Sequence, residues 1–74
     1  MKPTPSRPPE VERVALRLGF VLLHQRGSHR VYKHPSGKNV VIAFHGGGRT
    51  VPTGTLRRII ADMEITVEQF NQMV

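Results

Sequence analysis

At 74 residues, with a formal net charge of +6 and no cysteine, the chain forms one domain with a thin core and no disulfide or thiolate metal site. No apolar run approaches the roughly 20 residues that cross a bilayer, and no apolar signal stretch opens the chain, so a cytoplasmic protein is expected, with no membrane partner. Acidic residues are absent between Glu12 and Asp62, where all 4 histidines sit among most of the cations, a one-signed field that favours nucleic acid as partner.

Residues 1–9 carry Pro3, Pro5, Pro8 and Pro9 and are expected as a flexible, extended leader to a single domain at 10–74. Pro9 suits the first position of a helix, and Val11, Val14, Ala15 and Leu18 then recur with helical spacing. Arg13 and Arg17 fall on the wet side, Glu10 and Glu12 suit the positive end of the dipole, and Gly19 ends the helix as a left-handed C-cap.

Three β-rich runs follow, over residues 20–26, 29–34 and 39–44. Gly27-Ser28 makes a tight turn between the first two, and Pro35-Ser36-Gly37-Lys38 joins the second to the third. Two short links in succession predict an antiparallel meander. Beyond the glycine-rich stretch 45–50, Thr53 is expected to cap a second helix that buries Leu56, Ile59, Ile60 and Met63. Thr66-Val67-Glu68-Gln69 reads as a capping box opening a third helix, with Phe70 turned inward. The order α-β-β-β-α-α predicts an α+β fold: a three-stranded antiparallel sheet with its helices on one face and the other face open.

The sharpest constellation is Gly27-Ser28-His29-x-x-Tyr32-x-His34-Pro35. Strand parity separates His29, Val31 and Lys33 from Arg30, Tyr32 and His34. His29 begins its strand at an open rim, where an imidazole can take a ribose 2′-hydroxyl proton or give one to a leaving 5′-oxygen. That chemistry requires a phosphate held by arginine or lysine, and no metal or other cofactor. On spacing alone, a histidine beside a turn is more often a structural hydrogen-bonder. His24, His34 and His45 compete for the role, each with a strand-end structural reading beside it. A four-histidine zinc site is disfavoured, since the usual paired ligand spacings are missing.

Gly46-Gly47-Gly48-Arg49 lacks the spacing of a nucleotide-binding loop and reads as a flexible connection that presents Arg49. Thr53-Gly54-Thr55 with Arg57 and Arg58 offers a helix N-terminus and two guanidiniums, either a phosphate clamp or an ordinary cap with a solvated face. Among the aromatics only Tyr32 is placed to stack on a base, so recognition is expected to rest on backbone charge and shape.

The segments LGF, QRGSHRVYKHPSG and PTGTLRRII, in that order, resemble the HicA family of toxin ribonucleases, over residues 11–70. The resemblance implies a double-stranded RNA-binding-domain-like fold and an mRNA interferase of a toxin–antitoxin pair, with His29 as the single functional histidine. It implies a HicB-like antitoxin protein that blocks the site. Two features depart from the family's pattern. Met63-Glu64 stands where a glycine often follows the second helix, and HGGGRT lacks the acidic or lysine residues often found before the G-T-L block.

The leading expectation is an endoribonuclease that cleaves mRNA, with His29 as general acid/base. Arg26, Ser28, Arg30 and Lys33 flank it as RNA-binding candidates, Ser28 by shaping the turn, and Arg57 and Arg58 reach in from the second helix. Two alternatives use the same cations: a non-catalytic RNA-binding module of the same fold, and an interaction protein that docks an acidic partner.

Overall fold

The computed structural model describes residues 1–45 and 48–74, with α1 at Pro8–Arg17, β1 at Val21–Arg26, β2 at His29–Lys33, β3 at Asn39–Ala43, α2 at Thr53–Asp62 and α3 at Val67–Met73. Each boundary has a local cause. Pro8 takes the first position of α1, one residue before the proline expected there, and the Arg7 N–H donates to Glu10 Oε1 at 2.7 Å. Gly19 closes the helix in the left-handed region, at φ +97°, as Phe20 N–H reaches back to the Ala15 carbonyl at 3.0 Å. At α3 the capping box forms as expected. Thr66 Oγ1 accepts from Gln69 N–H at 3.0 Å, and Gln69 Oε1 accepts from Thr66 N–H at 2.7 Å.

The cap expected at Thr53 belongs instead to Pro52. Its ring holds φ at −53° with extended ψ, and its carbonyl accepts from Leu56 N–H at 2.8 Å, so Thr53 becomes the first helical residue. Neither residue caps α2 through a side chain. At the other end Glu64 occupies the left-handed position at φ 59°. Glu64 N–H bonds the Ala61 carbonyl at 2.9 Å, and Ile65 N–H lies 3.5 Å from that of Ile60. The helix thus ends in the conformation that glycine adopts most cheaply, with glutamate bearing the strain.

The sheet is antiparallel in the order β1-β2-β3. Tyr32, Val40 and Ile42 turn one face into the core, where Val11, Val14 and Ala15 of α1 meet Leu56, Ile59 and Ile60 of α2, with Met63 and Phe70 closing the cluster. The other face stays open: Val21 is 63% and Val41 41% exposed. These features match the expected α+β meander with helices on one face, an arrangement compatible with a double-stranded RNA-binding-domain-like fold. Leu23 interrupts the β1–β2 register, so Leu22 pairs with Tyr32 and His24 with Val31. Directly opposed residues share a face, and this bulge therefore turns His24 and Arg26 to the open side with Val31 and His29.

Tyr32 is fully buried, and its hydroxyl donates to Glu12, which also accepts from Arg30 Nη1 at 2.8 Å. It is not free to stack on a base, because the same parity that separates it from His29 points it into the core. The leader runs extended against the domain. Asn71 Oδ1 accepts from Thr4 N–H at 2.7 Å, Asn71 Nδ2 donates to the Lys2 carbonyl at 3.1 Å, and Val51 N–H donates to the Ser6 carbonyl at 2.8 Å.

Candidate active site

His29 owes its position to the hairpin turn. Gly27 takes φ +58°, which the first residue of this two-residue turn requires and a side chain would disfavour. The Ser28 carbonyl then accepts from Phe44 N–H at 2.6 Å, which pins the turn to the end of β3. In the ladder His29 stands opposite Arg26 on one side and Ala43 on the other. Continuing the parity of Ala43 by two residues carries His45 to the same side. The two imidazole rings meet edge to face, their centroids 6.2 Å apart.

Both rings line a cavity of about 310 Å³. Arg49 enters from the connection to α2 and Arg58 from the helix itself, while Val41, Ala43 and Ile59 supply an apolar floor. Among the described residues no carboxylate lines it. Thr55 and Pro52 bring the start of α2 to the wall, and that helix has neither a side-chain cap nor an acid in its first turn. Its leading N–H groups and positive dipole end are therefore left uncompensated beside two guanidiniums. A smaller cavity of about 190 Å³ shares Pro8 and His45 with the first and adds Arg7, Pro9, Phe44 and Gly48. An anion held between arginines, with imidazoles at hand for proton transfer, is what this arrangement can accommodate.

The sequence candidates divide. His29 and Arg58 share the main cavity, and Arg26 is exposed directly across the ladder from His29. Lys33 lies on the same face at the far end of β2, four residues or about 13 Å from His29 at strand rise. Ser28 is half-buried in the turn. Arg57 faces away from the cavity lining and donates to the Met1 carbonyl at 3.1 Å.

Arg30 points to the helix side. Its guanidinium lies 4.1 Å from the Phe44 ring centroid and pairs with Glu12, while its buried Nε has no hydrogen-bond partner among the described residues. The Glu12 hydrogen bond raises the Arg30 pKa above its ordinary value. An RNA phosphate would have to draw Arg30 out of this network.

His34 has a structural place. The Leu18 carbonyl, 3.1 Å from Nε2, can only accept, so Nε2 carries the proton and Nδ1 accepts from Ser36 N–H at 3.1 Å. His24 is exposed on the open face and lines neither cavity. Of the glycine-rich stretch, Gly46 and Gly47 lie outside the described residues, while Arg49 lines the main cavity. Among the described residues no cluster of three or more His, Cys, Asp or Glu is placed to hold a metal ion.

In the sequence His45 stands only as a competitor of His29, and Thr55 carries no separate weight. The legible signal for His45 was the β2–β3 pairing: if His29 faces the end of the third strand, a histidine just past that end falls beside it.

A protein-family model described as the HicA toxin of bacterial toxin-antitoxin matches residues 9–65. No curated protein matches the chain.

Proposed function

Since the chain belongs to the HicA toxin family, we propose that it is the toxin of a toxin–antitoxin pair that acts as an endoribonuclease on mRNA, with His29 as a general acid/base. The observation that carries this reading is the cavity itself, where an exposed imidazole sits at a strand rim among Arg49, Arg58 and an uncapped helix start, with no lining carboxylate among the described residues. RNA is a polyanion, and a phosphodiester drawn into this field brings its ribose 2′-hydroxyl within reach of an imidazole. Arg58 and Arg49 hold the phosphate, and Arg26 tracks the strand on the open face. Cleavage proceeds through the 2′-oxygen and leaves a cyclic phosphate.

The antitoxin partner is a HicB-like protein that covers this mouth. The setting is the cytoplasm, where mRNA is found; no helix among the described residues is long and apolar enough to cross a membrane.

Substitution His29→Ala tests the reading. The expected result is loss of RNA cleavage and of growth arrest by about 10²–10⁴-fold in rate, with an unchanged fold by circular dichroism. Undiminished cleavage by that variant would remove His29 from the mechanism. A parental chain that binds RNA but never cuts it would leave the RNA-binding module as the function.

A further inference from the structure

We propose that His45 is a second catalytic residue, making with His29 an acid–base pair across one phosphodiester. The inference rests on the ribonuclease reading above and deepens it. Four observations converge on this ring. Its centroid lies 6.2 Å from that of His29, an edge-to-face separation at which the rings do not bond each other but both can reach oxygens of a single phosphodiester. Both rings line the cavity that also contains Arg49 and Arg58. His45 is exposed, and among the described residues neither imidazole makes a hydrogen bond that would hold its nitrogens in a structural role. Finally, His45 stands where the two cavities adjoin, so a strand running from one to the other passes its phosphate beside this ring.

His34 provides an internal contrast, since both of its nitrogens are engaged by Leu18 and Ser36 and its ring is packed on Phe20. That is how this fold uses a structural histidine. His45 has none of those attachments.

The step balances without an added reactant. One neutral imidazole takes the 2′-hydroxyl proton as the 2′-oxygen forms a bond to phosphorus. The phosphorus–5′-oxygen bond breaks with its electron pair on the 5′-oxygen, which takes a proton from the other, protonated imidazole. The products are a 2′,3′-cyclic phosphate and a 5′-hydroxyl end, and the pair finishes with its proton exchanged between the two rings. The charged groups around the pair are Arg7, Arg49 and Arg58 lining the cavities and Arg26 opposite His29, with no carboxylate among the lining residues.

The test compares the purified parental chain with His29→Ala, His45→Ala and His45→Asn on a short RNA, together with affinity for the non-cleavable 2′-deoxy analogue. The expected outcome for both His45 variants is a rate lower by about 10²–10⁴-fold, near-parental affinity, and a pH–rate profile that changes from a bell to a single limb. His45→Asn retains polar contact but cannot exchange protons, so near-parental cleavage by it overturns the pair. A uniform fall in rate across the pH range, with the bell retained, also overturns it. Activity that disappears in His29→Ala but survives in His45→Ala refutes the pair while sparing the ribonuclease reading. A parental chain that leaves RNA intact refutes both.

Discussion

The Arg30 guanidinium lies over the Phe44 ring, 4.1 Å from its centroid, while its Nη1 bonds Glu12 at 2.8 Å. One cation thereby ties α1, β2 and the end of β3, and Phe44 in turn bonds the Ser28 turn that carries His29. Removing either partner of the pair leaves its counterpart partly buried and uncompensated. Arg30→Met or Glu12→Gln is expected to lower the midpoint of unfolding in denaturant titration. The slope of RNA affinity against salt should stay parental in Arg30→Met, since this guanidinium faces the helices; a slope reduced by about one unit would show that it binds phosphate.

Arg57 and Arg58 are sequence neighbours with opposite expectations. Arg58 lines the cavity with His29, whereas Arg57 reaches the Met1 carbonyl. Arg58→Ala should reduce cleavage at least tenfold and flatten the salt slope by about one unit. Arg57→Ala should leave both within about twofold, because exposed polar contacts of this kind contribute little to any site. Equal losses in the two variants would mean that the whole helix face grips RNA.

Glu64 holds φ 59° at the end of α2, a backbone region that costs a non-glycine residue roughly 1 kcal/mol. Its side chain is exposed, so little is lost with it. Glu64→Gly should raise stability by about 0.5–1 kcal/mol and leave cleavage unchanged, as the position is remote from the cavity lining. A destabilised variant would show that the unfolded-state entropy of glycine outweighs the relieved strain.

Tyr32 is the chain's 1 tyrosine, and there is no tryptophan, so its titration can be followed by phenolate absorbance alone. Burial pushes its hydroxyl pKa well above the ordinary 10.0, and the hydrogen bond to Glu12 adds to the shift. The folded chain therefore keeps this proton at pH values where the unfolded chain releases it. The tyrosine's contribution to stability is intact below 10.0 and declines as pH climbs beyond it. Phenolate absorbance and loss of helical circular dichroism should rise together on the alkaline side. Phenolate that forms at pH 10 while the helices persist would contradict the buried assignment.

Local rules made much of the architecture legible. Gly19 ended its helix and Thr66 opened one because a left-handed C-cap and a capping box involve residues only a few positions apart. Parity separated His29 from Arg30 and Tyr32 because side chains alternate along any strand. The same parity sets Arg30 and Tyr32 on the helix side, although a cation beside a candidate histidine and a lone tyrosine both invite a functional reading until their shared partner, Glu12, is in view. The cap at Pro52 is not legible in the sequence because threonine caps better than proline through its side chain, whereas here the helix begins without one.

What the amino-acid order determined by itself was the set of elements, the face of each strand, a cation-rich middle freed of acids, and His29 at a rim. What only the tertiary structure decided was which of those cations and histidines share space with it. His29 meets His45 through the β2–β3 register, and Arg58 through the return of the chain to α2. These are long-range closures, selected by the total burial of the core rather than by any neighbouring residue. The leader follows the same rule: Pro3 and Pro5 keep it extended ahead of α1, but only the presence of Asn71 and Val51 nearby gave its backbone partners.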